Sequence, residues 1–273
     1  MAAPTIPALP AVHEFAAPPA WSRIDFISDL HLAPDRPRTG EAWEAYLQAT
    51  PADAVFILGD LFEAWVGDDA RHHGFEARCT DALTQAAGHC RIAFMAGNRD
   101  FLVGAEMLAA CAVTALPDPT VLLAFGQRVL LSHGDALCLS DTVYQHYRAQ
   151  VRSAPWQAAV LALPLDERRH LAGQMRHASE QRHADGALAP MSVDIDPDAA
   201  LDWMHQAATP VLVHGHTHRP ASTALAPGRL RHVLSDWDLD AAVARPRAEV
   251  LRLTIDGFAR LPLALALRAA PAA

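Results

Sequence analysis

Asp, His and Asn recur in five short clusters, and their side chains are common donors to divalent metal ions. The clusters are Ser28-Asp29-Leu30-His31, Gly59-Asp60, Gly97-Asn98-Arg99-Asp100, His133-Gly134-Asp135 and His214-Gly215-His216-Thr217-His218. Carboxylate, imidazole and amide carbonyl together suit borderline ions such as Mn2+, Fe2+ or Zn2+. D-x-H and H-x-H put two side chains on one side of an extended backbone, because strand side chains alternate with period two. Glycine beside Asp60, Asn98, His133 and His216 lets backbone pass close to a crowded site. Two ions ~3.5–4 Å apart are well served by a shared carboxylate, and Asp60, central in the series, is the natural bridge. His214 shares a face with His216 by the same period and stays open as a further ligand. Asp100 reads as orienting a ligand or capping the following helix, Asp135 as a support for the ligands, and Asp68 and Asp69 as a solvated turn or a support for the ligands rather than as ligands. Each motif alone says little. Five in series, each after an apolar run, read as one dinuclear site, suited to metal-assisted hydrolysis.

The elements that must position these clusters are short apolar runs alternating with longer mixed segments, the pattern of an α/β chain. Strands are expected at Ile24–Ser28, Ala54–Leu58, Arg91–Ala96, Val121–Phe125, Val129–Ser132, Val211–Val213, Arg231–Leu234 and Glu249–Ile255. Each cluster follows a strand, where α/β sheets place their ligands. Val121–Phe125 and Val129–Ser132, joined around Gly126-Gln127, read as a hairpin, so the sheet is expected to be mixed. Helical spacing falls at Glu41–Gln48, Arg78–Ala87 and Ala105–Ala110.

The stretch Asp141 to Asp185 reads as helices without a strand. It carries six arginines against five acids, a net of +1, inside a chain of net charge −9. Arg148 and Arg152, and Arg169 and Arg176, can each share a helix face. By pattern this piece is either an inserted cap or an ordinary amphipathic pair packed on the sheet.

Apolar residues are 51% of 273, enough for one sizeable α/β domain. The acidic balance argues against a nucleic-acid partner. The chain contains no lysine, so all 22 basic residues are arginine. The four cysteines form no C-x-x-C pair and read as reduced thiols of a cytosolic protein. Residues 1–20, rich in Ala and Pro, are expected to be a mobile N-terminal tail rather than a signal peptide. The domain is expected over 21–260, with the helical insertion at about 141–185 and a C-terminal tail over 261–273. No run approaches the ~20 apolar residues of a membrane span, so any membrane contact is peripheral. The sequence sets no oligomeric state.

These motifs resemble the calcineurin-like metallophosphoesterase superfamily, whose signature is D-x-H, G-D, G-N-x-[DE], x-H and G-H-x-H in this order. Within it, Phe26–Leu32, Ile57–Asp69, Gly97–Gly104, His133–Cys138 and His214–Pro220 are similar to the UDP-2,3-diacylglucosamine diphosphatases of lipid A biosynthesis. Gly59 to Asp69 is the most specific stretch, and the similarity runs from about Ile24 to Trp237. The resemblance implies a sandwich of two mixed β-sheets flanked by helices, with a helical cap over the acyl chains. It implies two Mn2+ per chain, other divalent metals being possible. Asp29, His31, Asp60 and His218 would hold the first, and Asp60, Asn98, His133 and His216 the second.

The implied reaction is hydrolysis of the pyrophosphate of a lipid-linked UDP-sugar to UMP and 2,3-diacylglucosamine 1-phosphate (lipid X). A metal-activated water would attack the α-phosphorus. Asp60, Asn98, Arg99, His133 and His216 would be catalytic. Asn98, Arg99, Asp141, Ser179, His183 and His216 would contact substrate, with Tyr144 nearby. The enzyme would be cytoplasmic, peripheral on the cytoplasmic face of the inner membrane. Two departures stand out. The family's Asn and Lys after the matched serine fall near His183 and Gly186 here, with Arg182 beside them. Asp238 follows Trp237, where the family often has His. The rival readings are another phosphoesterase on the same core and a scaffold without activity, the latter disfavoured by the full ligand set.

Overall fold

Apolar runs buried on both faces set the architecture. The computed structural model describes residues 7–184, 194–242 and 246–268, with the backbone alone over 178–184. β2 (Ile24–Ile27), β3 (Ala54–Leu58) and β8 (Val211–His214) are buried at every position, as strands between covering layers must be.

Twelve strands form two six-stranded sheets among the described residues. In the first, β2 and β3 continue in parallel through β4 (Arg91–Met95) to β5 (Thr114–Ala115). On the other side β11 (Glu249–Thr254) and β12 (Gly257–Pro262) join antiparallel. The second sheet runs β1 (His13–Ala16), β6 (Thr120–Ala124), β7 (Gln127–Ser132), β8, β10 (Arg229–Val233) and β9 (Ala221–Ala226). β6 and β7 are the expected hairpin. Phe125 and Gly126 at its tip both have positive φ, 52° and 74°, the primed-turn geometry that matches strand twist.

Period-two alternation divides the core. Ile24, Phe26, Phe56, Leu58, Leu122, Leu131, Val213 and Leu251 meet between the sheets. Ile27, Val55, Ile57 and Ile92 point outward, against α1 (Pro37–Ala49), α2 (Gly74–Ala87) and α3 (Ala105–Ala110). Val121, Leu130 and Leu212 face α7 (Pro197–Gln206) on the far side. α1 starts four residues before the expected Glu41. Pro37 suits the first helical turn, and the distant Asp240 accepts from Arg38 N at 3.1 Å and Thr39 N at 2.9 Å. That cap comes from across the fold, so the local sequence does not announce it.

The inserted stretch forms α4 (Thr142–Val151), α5 (Ala154–Leu161) and α6 (Leu165–Ala184). Both ends of the chain differ from the expected tails. From residue 7 the N-terminal segment is docked. β1 pairs in parallel with β6, Trp203 Nε1 donates to Pro7 O at 2.9 Å, and Phe15 packs edge-on against Phe56. The open edge of β6 offers a row of backbone groups, and four residues suffice to use it. At the other end β12 reaches Pro262, and α8 (Leu263–Ala266) buries Ala266 completely. Ala266 O accepts from Arg252 Nη2 at 2.8 Å, which fixes the short apolar run against the first sheet.

Candidate metal centre

The parallel order of β2, β3 and β4, and of β7 and β8, brings the five expected clusters to strand C-terminal ends. The loops after β2 and β3 then stay laddered to each other. Asp29 N donates to Gly59 O at 3.1 Å, His31 N to Asp60 O at 3.0 Å and Leu32 N to Leu61 O at 2.9 Å.

Two sets of donors result, Asp29, His31 and His218, and Asp60, His133 and His216, each with ligand atoms within 4.8 Å of one another. Asp60 Oδ2 lies between them, 3.7 Å from His133 Nε2 and 4.0 Å from His31 Nε2. Asn98 Oδ1 is 2.9 Å from His133 Nε2 and 2.7 Å from His216 Nδ1. His218 Nε2 is 3.3 Å from Asp29 Oδ1 and 3.2 Å from His31 Nε2. All seven expected ligand residues therefore meet.

Their geometry is not the extended D-x-H and H-x-H anticipated from period two. Asp29, His31, Asp60, His216 and His218 have φ of 55°, 49°, 53°, 65° and 51°. Among the described residues eight non-glycine residues have positive φ, and five are these. Left-handed Asp and His cost conformational energy and persist where the surroundings over-determine them, typically at functional sites. Each left-handed residue turns the chain so that neighbouring side chains converge instead of alternating. Gly97 and Gly215 permit the close packing: a Cβ on Gly97 would overlap Asp60, and one on Gly215 would overlap Asp29 and Ser28 Oγ.

The donors fit a divalent cation. His133 Nδ1 is 2.9 Å from Leu58 O and must donate to it. In neutral His133 the Nε2 lone pair then faces Asn98 Oδ1, with Asp60 nearby, a cluster of electron pairs that requires a proton or a metal. Burial opposes charge on His133, but Asp60, Asp135 and Asp29 outweigh it and raise its pKa to about 9. Burial and His133 push His216 down to about 4. Burial would raise Asp29, yet the His218 contact and the charges of His218, His133 and His31 hold it well below the usual carboxylate range.

Asp100 is fully buried and supports the ligand loops. It accepts from Gly97 N at 2.7 Å, Leu61 N at 2.7 Å, Asp60 N at 3.3 Å and Phe62 N at 3.4 Å. Burial and the Asp60 charge push its carboxyl up, and the N–H donors oppose this. Arg99 donates its backbone N–H to Asp60 Oδ1 at 2.8 Å and holds its guanidinium 3.3 Å from Glu63.

Other candidates sit elsewhere. His214 turns away from the cluster: Arg231 Nε donates to its Nε2 at 2.8 Å, and burial with the Arg231 charge lowers it to about 3. Asp68 accepts from Gly104 N at 2.8 Å and Met107 N at 2.9 Å, so it caps α3. Asp69 pairs with Arg168 of α6. Asp141 caps α4, accepting from Tyr144 N at 2.9 Å. The side chains of Ser179 and His183 lie outside the described residues. Asp135, expected as a support, accepts from the Tyr144 hydroxyl at 2.6 Å, and one participant carried no role in the sequence reading, Glu63. Glu63 stands only three residues after Asp60, the one local signal that could have found it.

The profile of the calcineurin-like phosphoesterase family matches residues 22–220. A UDP-2,3-diacylglucosamine hydrolase of Ralstonia nicotianae is 41% identical, over 92% of this chain and 94% of that one. Its counterpart in Xanthomonas axonopodis pv. citri is 42% identical, over 88% and 98%. Among solved structures, Vps29 of Entamoeba histolytica complexed with Zn2+ aligns with a TM-score of 0.43 at 13% identity, over 88% of this chain and 99% of that one. The chain belongs to the calcineurin-like phosphoesterase family and, within it, to the UDP-2,3-diacylglucosamine hydrolases.

Proposed function

We propose that this chain hydrolyses the pyrophosphate bond of UDP-2,3-diacylglucosamine, releasing UMP and 2,3-diacylglucosamine 1-phosphate. The observation that carries the reading is the double donor set that shares Asp60 between its halves. Asp29, His31, Asp60 and His218 would hold one divalent ion, and Asp60, Asn98, His133 and His216 a second. Mn2+ fits their mixed oxygen and nitrogen donors. When bound, the ions supply an acidified water and Lewis-acid stabilisation of charge on the phosphoryl oxygens.

The chain's own residues do the rest. Asp100 and the left-handed turns hold the ligands before substrate arrives, so little reorganisation is needed. Arg99 stands at the edge of the cluster with a planar fork suited to a phosphate oxygen pair. The leaving group is itself a phosphate, so proton donation to it is less needed, which suits an arginine at this position. Helices α4–α6 are the cap that would cover the acyl chains and keep water from the site.

The chain would act at the cytoplasmic face of the inner membrane, as a peripheral protein. Among the described residues no helix is long and apolar enough to cross a membrane. Leu161 and Leu163, at the α5–α6 junction, stay 43% and 37% exposed, and such side chains can enter a bilayer surface.

The test is UMP release from UDP-2,3-diacylglucosamine with Mn2+, against an EDTA-treated control. Metal-dependent UMP and lipid X are expected. Metal-dependent cleavage of a simple aryl phosphodiester, with no turnover of the lipid, would keep the metal centre and reject the substrate.

A further inference from the structure

The backbone ladder between the β2 and β3 loops decides where Glu63 goes. After Leu32 N bonds Leu61 O, Glu63 N donates back to Leu32 O at 3.1 Å, which sets Glu63 beside His31. Its carboxylate, 11% exposed, divides its two oxygens between different partners. Oε2 lies 3.1 Å from His31 Nδ1. Oε1 lies 3.3 Å from Arg99 Nη1 and 3.8 Å from Nε of Arg176, on α6.

His31 Nδ1 is buried and has no aligned hydrogen-bond partner among the described residues, so the nearby carboxylate is the acceptor within reach. The other ring nitrogen points the opposite way, 3.2 Å from His218 Nε2. An imidazole that ligates through one nitrogen needs its second N–H held. That contact selects the tautomer, fixes the ring plane and raises the basicity of the ligating atom.

We propose that Glu63 is a positioning residue for the candidate metal centre: it holds the Nδ1–H of His31 so that Nε2 is presented beside Asp29 and His218. Arg99 and Arg176 neutralise its other oxygen and keep Oε2 turned to the ring. The cap and the metal centre are thereby joined through one carboxylate, with Arg176 supplying the link from α6. This inference rests on the metal-centre reading above.

The test is calorimetric titration of Mn2+ into EDTA-stripped wild type, Glu63→Gln and Glu63→Asp, with the melting temperature of each metal-free protein. Wild type is expected to bind two ions. Glu63→Gln should weaken one site by about 10–100-fold, the usual effect of losing such an outer partner. The other site should be unchanged, while the metal-free melting temperature should fall, because the contacts of the Glu63 carboxylate with His31, Arg99 and Arg176 are lost with its charge. Glu63→Asp keeps the charge but is one methylene short of His31, and it should weaken the same site. Equal affinity at both sites in wild type and Glu63→Gln would overturn the proposal. So would equal weakening of both sites, which would make Glu63 merely structural. Wild type that binds no divalent ion would instead overturn the metal-centre reading beneath it.

Discussion

Tyr144 on α4 donates its hydroxyl to Asp135, two residues beyond His133, at 2.6 Å. Arg148 Nε, one turn further along α4, donates to the same oxygen at 2.8 Å. Arg152 continues the contact, donating to Gly97 O, next to Asn98, at 2.9 Å. One face of α4 is therefore fastened to two ligand loops, and the Tyr144 ring lies 5.7 Å from that of His216.

Removing the Tyr144 hydroxyl tests that fastening. Burial would raise the Asp135 carboxyl, but Arg148, His133 and Arg152 hold it well below the usual range. It is thus an anion with no solvent exposure. Tyr144→Phe keeps the ring and removes one charge-assisted hydrogen bond, which should cost about 1.5–3 kcal/mol. Denaturant unfolding of the metal-free protein measures this. Unchanged stability would mean that Arg148 and Arg152 satisfy Asp135 without the tyrosine.

Asp60→Ala should abolish activity. Asp60 Oδ2 is the oxygen that lies between the two donor sets, and Oδ1 holds the Arg99 backbone. Loss of at least about a hundredfold in UMP release is expected, the scale of removing one preorganised charge-stabilising group. Substantial retained turnover would sink the dinuclear assignment.

The donor residues were legible because Asp, His and Asn stood in short clusters after apolar runs, and chain order alone brought the strand ends together. Their conformation was not legible. Nothing in the identity of Asp29 or His216 encodes a left-handed backbone, so period two wrongly paired His214 with His216. The left-handed turn at His216 breaks the alternation, and His214 ends up beside Arg231. Strands β1, β9 and β12 escaped notice for a different reason. They are edge or outer strands, half-exposed on both faces, as in the Ala-Ser-Thr-Ala-Leu-Ala of β9. Such strands carry no strong alternation to read. Glu63 depends on a ladder between two loops, which no local pattern announces.

Acid should unfold the metal-free protein partly through Glu63. Burial pushes this carboxyl up, but the His31 contact and the charges of Arg99, His31 and Arg176 outweigh it and hold the pKa at about 2, against 4.5 unperturbed. A folded pKa below the unfolded one means that the contribution is fully present above about pH 4.5. It is lost as pH falls from there through about 2. Its size is of order 3 kcal/mol at 1.36 kcal/mol per pH unit. Urea unfolding of EDTA-treated wild type and Glu63→Gln across pH 2–6 should show a flatter acid limb for the variant. Parallel curves would show that Glu63 is not held ionised.

Substituting the exposed leucines between α5 and α6 tests the proposed membrane contact apart from phosphorus chemistry. α5, Ala154–Leu161, contains no charged residue, and Leu161 and Leu163 stay partly exposed at its end. A half-buried leucine that completes its burial in a bilayer surface gains about 1 kcal/mol, part of the roughly 1.5–3 kcal/mol for full burial. The double variant Leu161→Gln, Leu163→Gln should therefore lower turnover of vesicle-borne substrate by about tenfold or more. Cleavage of a water-soluble aryl phosphodiester needs the metal centre but no membrane, and its rate should hold. The two assays on one preparation provide the comparison. A parallel loss in both would mean that the substitutions disturb the site itself, and no loss in either would remove these leucines from the proposed membrane contact.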